Sequence, residues 1–261
     1  MPANPTSGAR SALSAGIVVC LVFGAVGAPA SAAAKKTTPK KITTTTKKSS
    51  VTAATNATGT PAVATGSLRT FRAEVWADNW FALYNGDTKV GEDSVPITTE
   101  RSFNAETFTF RASYPLQLRA ISKDYKENDT GLEYIGTGRQ QMGDGGFIVQ
   151  ITDTTTGKVV AATDATWKGL VIHAAPLNVD CERSATPEKT CTSRIDAEPG
   201  DWKSGAFNDT AWSNATVYTE EAVGVKQGYN EIKWDPSAKL IWTSDLKVDN
   251  TILWRRTVTA R

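Results

Sequence analysis

Residues 71–90, FRAEVWADNWFALYNGDTKV, constrain the fold more than any other stretch. Phe71, Ala73 and Val75 alternate with Arg72, Glu74 and Trp76. After Asp78-Asn79, Phe81 and Leu83 alternate with Ala82 and Tyr84. A period of two marks β-strands that bury one face. Asn85-Gly86 supplies a tight turn, because both residues tolerate positive φ. The stretch predicts the opening hairpin of an all-β domain.

Short segments of the same kind follow: ETFTFRA at 106–112, LQLRAIS at 116–122, FIVQITD at 147–153, KVVAAT at 158–163, LVIHA at 170–174, AKLIWTSDL at 238–246 and NTILWRRTV at 250–258. Gly, Asn and Asp break them, and 154–157 turns the chain between two of them. This spacing predicts an antiparallel β-sandwich or jelly roll. ERSATPEK, AFNDTAW and TEEAVG have room for little more than a helical turn. In the last strand Ile252, Trp254 and Arg256 share one face and Thr251, Leu253, Arg255 and Thr257 the other, so both faces mix polar and apolar groups.

The sandwich is expected to fill residues 68–261, since all eight Trp lie there. Residues 33–67 are rich in Thr, Lys and Ala and carry no aromatic, which leaves too little apolar surface to offset the entropy of ordering. They read as a disordered linker. Residues 1–32 read as a signal peptide: Arg10, an apolar run over 17–26, then APASAAA with small-x-small cleavage after Ala30 or Ala32. The run is shorter than the ~20 residues a membrane helix needs, so cleavage leaves no span; an uncleaved anchor is the alternative. These features predict a secreted or cell-surface protein.

Seven of the 29 basic residues and none of the 27 acidic ones lie in residues 1–67, which leaves 22 against 27, a net of −5, for the remainder. A mildly acidic domain argues against a nucleic-acid partner, which calls for clustered positive charge. Cleavage removes Cys20 and leaves Cys181 and Cys191, an even pair in an exported chain, which predicts one disulfide around the loop CERSATPEKTC. Free thiols or metal ligands are the alternative. Sequons begin at Asn56, Asn128, Asn208 and Asn214 and would make a glycoprotein in a source that glycosylates its exports.

ADNWFALYNGDTKVG resembles the aromatic-rich hairpin of galactose-binding-like β-sandwich modules, which occur beside glycosidases and in lectin-like surface proteins. DWKSGAFNDTAWSNA resembles their W…F-x-D-x-x-W segment, and AKLIWTSD and TILWRRTV their closing strands. The resemblance covers about residues 70–261 and implies an eight- or nine-stranded jelly roll, with a structural calcium as one option.

Sugar recognition needs an aromatic ring over the C–H face and planar polar groups for the hydroxyls. Trp76, Trp80 and Tyr84 lie near Asp78, Asn79 and Asn85, and form the candidate platform; packing at the sandwich edge is the competing reading. Trp76 joins Trp80 on one face only if no bulge intervenes. The Gly-rich loop GTGRQQMGDGG precedes a strand and lacks a phosphate-binding ending; it is read as closing one end of the sandwich, with Arg139 and Gln140 as polar contacts. Calcium needs six to eight oxygens. Asp87, Glu92 and Asp93 crowd one turn, and Asp144 is the candidate fourth ligand; a hydrated acidic surface is the alternative. Asp209 is expected to fix its loop through backbone hydrogen bonds. His173, the one His, sits in an apolar run and reads as a packed strand residue. No catalytic residue is assigned.

The expected role is noncatalytic attachment to an extracellular carbohydrate or cell-surface polymer. The alternatives are a protein-binding component of an extracellular or envelope assembly and, more distantly, a glycan hydrolase acting through two carboxylates.

Overall fold

The computed structural model describes residues 66–97 and 102–260. The expected signal peptide (1–32), the expected linker as far as residue 65, Cys20 and the Asn56 sequon lie outside the described residues.

Fifteen strands follow one another among the described residues. The first five are β1 (Arg69–Asp78), β2 (Trp80–Asn85), β3 (Thr88–Glu92), β4 (Ala105–Ala112) and β5 (Leu116–Lys123). Then come β6 (Leu132–Glu133), β7 (Gln141–Met142), β8 (Gly146–Asp153), β9 (Lys158–Ala162) and β10 (Lys168–Ala174). The last five are β11 (Arg194–Ile195), β12 (Ser213–Asn214), β13 (Thr216–Tyr218), β14 (Leu240–Trp242) and β15 (Asp249–Val258). Helix is confined to short pieces, including α1 (Pro187–Thr190) and α2 (Glu220–Val223). Thr219 caps α2 by accepting from the Ala222 N–H, and Gly224 ends it in the left-handed region. AFNDTAW, one of the candidate helical turns, is not helical.

Two antiparallel sheets face each other as a β-sandwich. The first runs β13-β14-β8-β1-β4, with β9 also on β8; the second runs β11-β10-β15-β5-β2-β3, with β12 also on β10. Alternation decides which side chains meet between them. Phe71, Ala73, Val75 and Ala77 point inward from β1, Phe81 and Leu83 from β2, Phe147, Val149 and Ile151 from β8, and Ile252 and Trp254 from β15. Phe81 and Phe147 meet across the layers with ring centroids 6.4 Å apart. Trp167 plugs the core, its indole donating to the Ala162 carbonyl.

The opening stretch differs from the hairpin its pattern suggests. Asn85-Gly86 does close a hairpin, but between β2 and β3, with Gly86 at φ +59°. β1 instead pairs with β4 and β8, and the chain crosses from one sheet to the other at Asp78-Asn79. The turn at 154–157 joins β8 to β9 as expected, with Gly157 at φ +68°.

Gly169 lies under the Trp254 ring, and a Cβ there would fall 2.6 Å from its Cζ3. Gly169→Ala should cost about 1–3 kcal/mol. Gly138→Ala, with nothing within 4 Å, should be near neutral. Thermal unfolding of the two variants side by side checks the contrast.

Candidate functional site

Both sheets carry apolar side chains on their outer faces as well, and a chain excursion covers each. On the first sheet, Trp76 and Ile148 pack with Val223, Tyr229 and Leu240. The Trp76 indole donates to the Phe103 and Gln227 carbonyls, each at 3.0 Å. Trp80 and Tyr84 stand on the outer face of the second sheet, around Ile121 and Leu253. Trp76 and Trp80 therefore look out of opposite sides of the sandwich. Trp76 is fully buried and is no part of an open platform. The reason is the crossing at Asp78-Asn79, which hands successive strands to different layers.

Strand register lays the outer face of the second sheet out in three rows. Tyr84, Arg119, Arg255 and Lys168 form one; Ala82, Ile121, Leu253 and Leu170 the next; Trp80, Lys123, Thr251 and His173 the third. Trp202, Trp212 and Phe207, from the loop before β12, pack over the first two rows. Arg255 holds that loop. Its Nε donates to Asp209 Oδ2 at 2.7 Å, and its other nitrogens donate to the carbonyls of Trp202, Ser204 and Phe207. Asp209 thus fixes the loop through a guanidinium, while its main-chain carbonyl accepts the Trp212 N–H at 3.0 Å. Arg119, also buried, donates to the Lys203 and Arg256 carbonyls, and burial beside Arg255 pulls its pKa down to about 10.

The third row is half-buried and borders a cavity. Lys123, Thr251 and His173 line a cavity of about 590 Å³, and Trp80 adjoins it through Lys123, whose Nζ lies 5.0 Å from the ring centroid. One wall is the segment 125–129 and the other is Ile195, Asp196 and Glu198. Asn79 positions the first wall: it is buried, and its Oδ1 accepts the Tyr125 N–H at 2.7 Å. His173 is a packed strand residue as expected, with both ring nitrogens shut off from solvent. Burial, then the Lys126 charge, pulls its pKa below the usual value, against the opposing carboxylate of Asp129.

The remaining candidates do not converge on this cavity. Asn85 accepts the Gln117 N–H and locks the turn, while Tyr84 lies under Lys203. Arg139 stacks on Tyr134. Gln140 donates to the Glu182 and Ser184 carbonyls, and the Met142 N–H donates to Glu182 Oε1, so the Gly-rich loop is tied to the loop closed by the Cys181–Cys191 disulfide. That pairing is the expected one. Just beyond Cys191 the chain forms β11, the second wall; the first wall is braced by the Gly-rich loop, where the Ile135 N–H donates to Glu127. Of the calcium candidates, Asp87 sits in the exposed turn, Glu92 pairs with Lys89, and Asp93 is buried and accepts the Val95 N–H. Asp144 faces Lys226 instead. Among the described residues, no three His, Cys, Asp or Glu side chains gather in a metal-holding group.

Lys226 joins Asp78, at 2.8 Å, to Asp144, at 3.2 Å. Asp78 is thus the buried half of a structural ion pair, not a ligand contact. Burial pushes it up to about 7 despite Lys226. Asp124, packed against Gly143, is pushed well above the carboxylate range by burial and then by the charges of Asp78, Glu133 and Asp144. Raised in this way, both carboxyls bind protons more tightly in the folded chain than in the unfolded one. Their stabilising contribution is therefore full at acid pH and falls as pH rises from about 4, the unfolded value, toward and beyond 7. The melting temperature should be higher at pH 5 than at pH 8, and Asp124→Asn should flatten that slope in thermal scans.

Trp80 and Tyr84 were legible as outward aromatics. Lys123, Thr251, His173 and the Arg255 clamp come together only through register between distant strands, which no local motif signals. No protein-family model, curated protein or solved structure matches the chain.

Proposed function

We propose that the domain is a noncatalytic carbohydrate-binding module that attaches an exported chain to an extracellular or cell-surface polymer. The observation that carries this reading is the cavity over the second sheet, lined by Lys123, Thr251 and His173, with the half-buried Trp80 beside Lys123. An indole face next to fixed donors and acceptors is what sugar binding requires. The sequence likeness to galactose-binding-like jelly rolls supports the same assignment.

A protein partner is the second reading, favoured by exposed Leu177, Val179 and Ile195 around the disulfide loop. Retention of the protein on insoluble polysaccharides and cell-wall preparations separates the two. Trp80→Ala should weaken retention about tenfold or more with little change in melting temperature, since stacked aromatics contribute about 1 kcal/mol or more. Trp76→Ala should instead destabilise the fold by about 3–5 kcal/mol. Stable oligomers with no polysaccharide retention would favour the protein partner.

A further inference from the structure

A second cavity, of about 630 Å³, lies at the end of the sandwich where β1 begins and β15 ends. It is bordered by β9 and by the tail of β15, which runs on past its last pair with β10 at Arg255. It shares no lining residue with the cavity beside Trp80. Alternation puts Arg69 on the same face of β1 as Phe71 and Ala73, and Arg256 on the same face of β15 as Ile252 and Trp254. Both cations therefore stand where the inward-facing rows of the two sheets run out, and both residues line the cavity.

The charged lining consists of Arg69, Asp153, Lys158, Asp164 and Arg256. Asp153 is buried and engaged: its Oδ2 meets Arg69 at 2.6 Å, and its Oδ1 accepts the Thr155 and Thr156 N–H groups. Asp164 turns its Oδ1 to the N–H and hydroxyl of Thr166. Arg256 is half-buried, yet among the described residues no carboxylate or carbonyl meets its guanidinium, and none meets the Lys158 ammonium. Three cations against two carboxylates leave the cavity one positive charge in excess, inside a domain whose net charge is −5. A partly desolvated guanidinium is best met by an oxyanion, which takes two parallel hydrogen bonds from its fork. Val160 and Val258, packed on the core, supply apolar surface to the same cavity, and Tyr114 and Thr156 carry hydroxyls that donate and accept. The volume exceeds that of a bare ion and falls within the ~300–1,000 Å³ range of small-ligand sites.

We propose that this cavity binds a small acidic sugar, a uronate or a sugar phosphate, with its acid group on Arg256 and Lys158 and its C–H face on Val160 and Val258. The site is separate from the one beside Trp80 and does not rest on polymer binding there. Charge selects the ligand: a neutral sugar leaves Arg256 unmet, and a bare oxyanion leaves the apolar surface unused.

The test is an amide-detected NMR titration of the full chain with glucuronate, glucose 6-phosphate, glucose and inorganic phosphate. At least one acidic sugar should bind about tenfold more tightly than glucose or inorganic phosphate, with shifts centred on residues 158–162 and 256–260. Added salt should weaken that binding severalfold. Arg256→Gln should weaken it about tenfold or more, the loss of a charge-assisted hydrogen bond. Arg256→Lys should restore part of the affinity, keeping the charge without the fork. Lys158→Gln, at an exposed position, should weaken it severalfold and carries the test if the Arg256 variants fail to fold. The proposal is overturned if neither acidic sugar binds, or if glucose or inorganic phosphate binds as tightly as they do. It is equally overturned if the shifts centre on Lys123, Thr251 and His173, or if every folded variant keeps full affinity. Retention on insoluble polysaccharide is measured separately, so carbohydrate attachment beside Trp80 survives each of these outcomes.

Discussion

The guanidinium of Arg255 decides what the second sheet presents to solvent. A buried cation on a sheet face is costly unless its donors are met, and removing a partner from such a group destabilises by several kcal/mol. Here Asp209 and three carbonyls of one loop meet it, and in doing so they hold Trp202, Phe207 and Trp212 over Ile121 and Leu253. The cap reaches two of the three rows. What remains uncapped is a consequence of where that loop stops, not of any special composition in the third row.

The same clamp explains a feature of the last strand that alternation leaves ambiguous. Ile252 and Trp254 enter the core, while Leu253 and Arg255 enter the capped outer layer. Mixed faces are what a strand buried on both sides looks like when one side is a sheet and the other an irregular loop. Local pattern was enough for the existence of most strands and for the turns at Asn85-Gly86 and 154–157, because these depend on residues adjacent in sequence. The crossing at Asp78-Asn79 was not legible: an alternating run reads the same whether its two halves pair or part.

The site was legible by halves for the same reason. Trp80 and Tyr84 share a face by strand periodicity alone, and Cys181 and Cys191 could be paired by counting. Trp76, Asp78 and Asn79 looked like neighbours of Trp80, yet burial sends the first to the opposite layer, pairs the second with Lys226 and sets the third beneath the cavity wall. Arg139 and Gln140 were placed on the right loop, but their side chains are engaged by Tyr134 and by the disulfide loop. Acidic residues close in sequence, Asp87, Glu92 and Asp93, find separate neighbours once the hairpin forms.

The bond between Cys181 and Cys191 reaches further than the ten residues it spans. One rim of the cavity continues directly from Cys191 into β11; the other leans on the Gly-rich loop, which Gln140 and Met142 fasten to Glu182. Opposite banks of the opening thus share a single covalent anchor. Oxidation of one thiol pair thus bears on both banks of the opening at once.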